Sequence, residues 1–404
     1  VDIDAGSAHA CALTSGGQMF CWGQNSGGQL GDGTNQNASV PVSVDELEGF
    51  SYVTDLDRFS DHACARLSDS TVRCWGRNAN GQTGEPASPA TSEVVIVAGL
   101  PPVVEVATGG AHSCAILSEG ALRCWGQNTF GQLGAGTINA GTHIPQTVNL
   151  NGFARGVAMG QAHTCGVRTD GSVYCWGNNA RGQLGLGNQT ATAVPSAVNV
   201  GGAVKVVAGD EHTCVVVSGG NNEVRCWGAG DQGQLGAANT NDSAVPQLVS
   251  GLDKPLKDIA AGADHTCVVF SDGTVSCWGD NSAGQLGNGT NNDSAIPTAI
   301  SGLDQVLSLS GGADHTCALR ADDTVRCWGA NDLGALGTSN TISATTPQTL
   351  IGASNMASLA LGNKNSCLLR YDGTVDCWGD NSGQRLQVGP DAFYTTPQQV
   401  QCLP

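Results

Sequence analysis

Gly262-Ala263-Asp264-His265-Thr266-Cys267-Val268-Val269-Phe270-Ser271-Asp272-Gly273-Thr274-Val275-Ser276-Cys277-Trp278-Gly279 is the stretch whose reading decides the fold. Two short apolar, β-branched runs flank Ser271-Asp272-Gly273. Asp-Gly between such runs is a strong hairpin signal, because the glycine accepts the positive φ that a tight turn needs. Downstream come Asn281, the tetrad Gly284-Gln285-Leu286-Gly287, a polar loop, and a third short run at Pro297-Thr298-Ala299-Ile300. Ahead of the equivalent glycines elsewhere, Val204-Lys205-Val206 and Val1-Asp2-Ile3 alternate with the period of a strand. No window carries a helical period.

The same unit fills the chain. Cys-Trp-Gly begins at Cys21, Cys74, Cys124, Cys175, Cys226, Cys277, Cys327 and Cys377, in steps of 50 to 53 residues, and all eight Trp stand on this grid. Gly-Gln-Leu-Gly is intact in five copies, varied at Gly81-Gln82-Thr83-Gly84 and Gly334-Ala335-Leu336-Gly337, and broken at Gly383-Gln384-Arg385-Leu386. Self-similarity near 50 residues marks a repeat architecture. Three or four short strands per unit predict an all-β fold, a closed β-propeller of eight blades forming one domain over residues 1–404. A single blade leaves its faces uncovered, and stacking around an axis buries them. The ring is expected to close by pairing Val1-Asp2-Ile3 with Thr396-Pro397-Gln398-Gln399-Val400 in one blade. Seven blades plus an appended hairpin is the alternative count. A linear solenoid is the alternative architecture, and it needs atypical polar caps.

Composition narrows the function. Seventeen Lys and Arg against 35 Asp and Glu leave a net charge of −18. Nucleic-acid binders need cations to displace phosphate counterions, so DNA and RNA are not expected partners. No apolar run is long enough for a membrane helix.

Seventeen cysteines make eight pairs and one remainder: Cys11/Cys21, Cys64/Cys74, Cys114/Cys124, Cys165/Cys175, Cys214/Cys226, Cys267/Cys277, Cys317/Cys327, Cys367/Cys377, and Cys402. With Ser271-Asp272-Gly273 as a three-residue loop, Val269 faces Val275 and Cys267 faces Cys277. Opposed cysteines on neighbouring strands lie within disulfide reach. Seven pairs are ten apart. The fifth is twelve apart, because Ser218 to Asn222 lengthen its turn. Two added residues preserve both opposition and face, whereas one would not. Buried free thiols and zinc are the other uses of such residues, and zinc favours shorter Cys-x-x-Cys spacing. One disulfide per blade implies an oxidising compartment, whether extracellular, cell-surface or periplasmic. The unpaired Cys402 suits an intermolecular disulfide or a partner in a longer chain.

The unit Gly-x-x-His-Thr, Asp-Gly, Trp-Gly-x-Asn, Gly-Gln-Leu-Gly resembles the regulator of chromosome condensation repeat, over essentially the entire chain. The resemblance implies a β-propeller, usually of seven blades, and the paired cysteines resemble a secreted, disulfide-bearing branch. The founding member is a nuclear nucleotide-exchange factor that docks on chromatin. This acidic, cysteine-paired chain departs from that role. A plant photoreceptor of the family senses light through Trp in a Gly-Trp-Arg-His-Thr motif. The matching Gly262-Ala263-Asp264-His265-Thr266 has none.

Seven of eight His occupy one repeat position: His9, His62, His112, His163, His212, His265 and His315, with Asn365 in the eighth copy. A symmetric ring of His reads as a repeated bond between blades, since a catalytic His is normally singular. His143 is read as a loop residue. Acids precede the repeated His at Asp61, Glu211, Asp264 and Asp314. Equivalent positions share one face, so these four form an arc suited to a hard cation or a basic partner. Phe393 and Tyr394 are a candidate contact pair. No Gly-x-Ser-x-Gly elbow, Walker loop, His-Glu-x-x-His or Rossmann fingerprint occurs, so no cofactor, metal or catalytic residue is nominated. The expected function is a non-enzymatic extracellular binding or adhesion scaffold for a protein or glycan. A secreted enzyme inhibitor is the alternative. A nucleotide-exchange factor and an enzyme with a central-channel site rank below it.

Overall fold

The computed structural model describes residues 2–14, 17–44, 50–54, 61–219, 223–352, 356–372, 374–380 and 393–400. These form eight four-stranded antiparallel sheets, each built from four strands consecutive in sequence, with no helix among the described residues. The fold is an eight-bladed β-propeller. The first strand of every blade packs beside the first strands of its neighbours, so these strands line the axis and the fourth strands form the rim. Blade 1 starts at Asp2–Ala5 and blade 8 ends at Phe393–Gln399.

Closure differs from the sequence expectation. Among the described residues the first strand, Asp2–Ala5, pairs within blade 1 and the last, Phe393–Gln399, within blade 8. The ring closes because Asp2–Ala5 packs against the first two strands of blade 8. Each unit already supplies four strands, so no strand is left over to be exchanged between the ends.

The hairpin register follows from its turn. Val269 opposes Val275 and Cys267 opposes Cys277. Gly273 adopts φ +79° and donates its N–H to the Phe270 carbonyl at 2.9 Å. All eight cysteine pairs are bridged, with Cα atoms 4.1–4.2 Å apart, the close spacing of directly opposed non-hydrogen-bonded residues. The fifth pair remains opposed, as Cys214 to Cys226, despite the longer turn. Cys402 lies outside the described residues.

The repeated Trp and tetrad residues serve the seams between blades, and the Asn shapes the loop that follows. Each Trp is completely buried. Trp278 Nε1 donates to the Gln234 carbonyl of the preceding blade at 2.9 Å, and Trp227 does the same to Gln183 at 2.8 Å. Thus the tetrad supplies a backbone acceptor from its Gln and a core side chain from its Leu. Asn281, two residues after the Trp-Gly, is also fully buried. Its Oδ1 accepts the Leu286 N–H at 3.0 Å, and its Nδ2 donates to the Thr290 and Asn292 carbonyls at 2.9 Å, so one amide holds the long loop in shape. Gly279 has φ +107°, and a Cβ there would stand 2.4 Å from the Asp264 carbonyl oxygen; no other residue fits.

Candidate functional site

The repeated His do not form a solvent-facing site. Their rings are at most 1% exposed and lie inside the seams. His163 Nε2 meets the Thr213 hydroxyl of the next blade at 2.9 Å, and that hydroxyl donates back to the Gln183 carbonyl at 3.1 Å. A hydroxyl has one proton, so it must accept from the ring, which places the imidazole proton on Nε2. The same relay joins His62 to Ser113, His112 to Thr164, His212 to Thr266, His265 to Thr316 and His315 to Ser366. Burial is the main cause that lowers the ring pKa, to about 4 for His163 and His315 and about 3 for His62 and His112. His143 lies in the outer strand Gly141–Val148, not in a loop.

The two ends of the barrel-like stack carry different loops. One end holds the short turns before each His and the long loops after each Trp-Gly; it is termed here the loop face. The other holds the Asp-Gly hairpin turns and the blade-to-blade links, the turn face. Asp61, Glu211, Asp264 and Asp314 occupy the same turn of blades 2, 5, 6 and 7 on the loop face. The structure groups them unequally. Asp61 accepts from Ser7 Oγ at 2.6 Å and pairs with Arg77 at 3.5 Å. Glu211 lies 3.8 Å from Arg181. Asp264 accepts from Gln234 Nε2 at 3.3 Å and sits among other acids. Burial first, then Asp280, Asp231 and Asp314, push its carboxyl above the usual range. Asp293 is likewise pushed up, by burial and by Asp280.

Asp231, Asp242, Asp280, Asp293 and Asp332 thus join the arc, although the repeat position of the His did not reveal them. They stand on the long loops, which neighbouring blades bring alongside the His turns. The loop-face segments 262–264, 280–293, 312–314 and 330–343 of blades 6 and 7 hold Asp264, Asp280, Asp293, Asp314 and Asp332, and no Lys or Arg. Cations bound the sector at its edges. Arg181 grips Asp242 through Nε at 2.5 Å and Nη2 at 2.8 Å, and reaches Asp231 at 2.8 Å. The bond to Asp242 leads the effects that keep its guanidinium more firmly protonated. Lys364 binds Asp332 at 2.8 Å, and this bond chiefly raises its ammonium pKa. Among the described residues no three of these side chains converge as metal ligands.

On the turn face Asp272 and Asp322 are already engaged. Asp272 Oδ1 accepts the Thr274 N–H at 3.0 Å and its hydroxyl at 2.6 Å, and Lys254 binds Oδ2 at 2.8 Å. Lys254, then Thr274, hold that carboxyl below its usual range. Asp322 is held low first by the Thr324 hydroxyl, and Arg320 reaches it at 2.6 Å. Phe393 is exposed at the start of the outer strand of blade 8, while Tyr394 packs against the core between blades 8 and 1. The aromatic pair is therefore split, because successive strand residues point to opposite sides.

The RCC1-like domain family model matches residues 87–404, and regulator of chromosome condensation (RCC1) repeat models match residues 1–29, 60–82 and 16–65. The chain is 32% identical over 307 residues to the ultraviolet-B receptor UVR8 of Arabidopsis thaliana, covering 74% of this chain and 69% of that protein. It is 31% identical over 309 residues to the E3 ubiquitin-protein ligase HERC2 of Homo sapiens, covering 75% of this chain but only 5% of that ligase. The fold is similar to that of Prp20p from Saccharomyces cerevisiae, with TM-score 0.68, 21% identity, and coverage of 87% of this chain and 91% of that one. With the repeat motif, the bladed architecture and these matches in agreement, the chain belongs to the RCC1-like domain family.

Proposed function

We propose that this chain is a non-enzymatic protein-binding scaffold whose loop face, over blades 5 to 7, receives a basic segment of a protein partner. The observation that carries the reading is the raised carboxyl of Asp264 among Asp231, Asp280 and Asp314. Carboxylates that repel one another gain most when a cation settles among them. A rigid ring suits this task, since it holds loops in fixed positions without ordering them at the moment of binding. The solved relative Prp20p is described by its binding to Gsp1p and histones, which supports a protein as the partner class. Light sensing does not transfer from the plant relative, because every Trp here is buried in a seam. Eight disulfides favour work in an oxidising compartment, outside the cytosol.

Carbodiimide labelling of surface carboxylates, with and without an arginine-rich peptide, tests the reading. The peptide should protect Asp264, Asp280 and Asp314 and leave the turn-face Asp272 and Asp322 labelled. Protection confined to the turn face, or equal on both faces, overturns it.

A further inference from the structure

The His relay is absent at two seams, and both border blade 1. At the seam between blades 1 and 2, His9 faces the position of Ala63 where other blades offer Ser or Thr. His9 is fully buried, and among the described residues neither of its ring nitrogens has a partner. At the seam between blades 8 and 1, Asn365 replaces the His and Ala10 replaces the hydroxyl. Asn365 is fully buried as well, with neither amide atom partnered among the described residues. Buried polar groups without partners weaken the interface that holds them. Among the described residues no strand pairs across from blade 8 to blade 1, and the first strand of blade 1 packs against blade 8 there.

Each disulfide lies in the seam that follows its own blade. Cys11–Cys21 packs with Ala63 and Trp75 of blade 2, and Cys367–Cys377 packs with Ala10 and Trp22 of blade 1. Both bridges are fully buried, so a reductant reaches them only when a seam parts. In three of the relays the hydroxyl also touches a sulfur: Ser113 and Thr213 lie 3.8 Å from Cys64 and Cys165 Sγ, and Thr266 lies 4.0 Å from Cys214 Sγ.

We infer that Cys11–Cys21 and Cys367–Cys377 form a redox-sensitive pair that gates blade 1, reduced by a dithiol before the other six bridges. The thiolate of an external dithiol attacks one sulfur, forms a mixed disulfide and expels the other sulfur as a thiolate. The second thiolate of the reductant then displaces the first cysteine and closes its own disulfide. Two electrons pass to the protein bridge, which ends as two thiols after taking up the two protons that the dithiol gives up. Reduction unlocks the hairpins on either side of the ring junction and leaves blades 2 to 7 bridged.

The test is timed reduction of the native full chain with dithiothreitol, trapping by iodoacetamide, and peptide mass spectrometry. Cys11, Cys21, Cys367 and Cys377 should be labelled about fivefold or more ahead of the remaining bridged cysteines, the scale of one net hydrogen bond per seam. Ala63→Ser supplies the missing hydroxyl and should slow Cys11 and Cys21 by about the same factor, with Cys367 and Cys377 unchanged. Thr213→Ala removes a relay and should speed Cys165 and Cys175. Simultaneous reduction of all eight bridges, earlier reduction elsewhere, or an unchanged Cys11 rate in Ala63→Ser overturns the inference.

Discussion

The seams and the loop face obey opposite rules. Inside the seams the blades are near-copies: a buried Trp, a buried His and a tetrad carbonyl recur with the same partners at almost every junction. On the loop face the blades differ, and blades 6 and 7 carry acids where blade 3 carries Ala111 and no charge in its long loop. Repetition serves closure, since each blade must fit two like neighbours. Variation is free where a loop meets only water or a partner. Selectivity therefore has to be sought in what the repeat does not fix.

Acid separates the two regions most strongly. The seam His have folded pKa values near 3 to 4, below the ordinary 6.5, so the unfolded chain binds more protons in that window. Their stabilising contribution is full above pH 6.5 and falls with the pH toward the folded values, by up to about 1.4 kcal/mol per ring and pH unit. Asp264 and Asp293 have raised values and act the other way: protonation relieves their repulsion as the pH falls through the folded pKa. Five such rings outweigh two carboxyls. Urea unfolding at pH 7, 6 and 5 should show a steep fall in midpoint, and a midpoint rising on acidification would break the contrast.

Single substitutions sharpen it. Trp227→Ala removes a fully buried side chain and its bond to Gln183, and should cost about 3–5 kcal/mol in equilibrium unfolding. Thr164→Ala leaves His112 Nε2 and the Gln132 carbonyl without the hydroxyl between them, a loss of about 1–3 kcal/mol by the same assay. On the loop face, Asp280→Asn should change stability by less than about 0.5 kcal/mol. It should also bring the Asp264 carboxyl down toward the ordinary range, read by NMR titration, because Asp280 is one of the charges raising it.

The seams were legible in the sequence because their determinants are local and repeated. A cysteine-to-cysteine spacing of ten or twelve, across a short turn that is Asp-Gly in blades 4, 6 and 8, set strand register without any long-range information. The Trp grid set blade number. Ring closure is not legible in the sequence, because counting strands per unit leaves open whether the termini share a blade. The acidic sector was legible only in part. Asp264 and Asp314 stand at a repeat position, but Arg181 and Asp242 are 61 residues apart and meet only because a long loop leans over the next blade. Tyr394 could not be separated from Phe393 until the strand phase at the rim was known.

The most direct test of the central claim is the affinity of the full chain for an arginine-rich peptide, measured by titration calorimetry across a salt series. The wild type is compared with Asp264→Asn/Asp280→Asn/Asp314→Asn. The account predicts that the triple variant keeps its stability, binds at least about tenfold more weakly, a loss of about 1.4 kcal/mol, and depends less on salt. Equal affinity and equal salt dependence in the two proteins would contradict it.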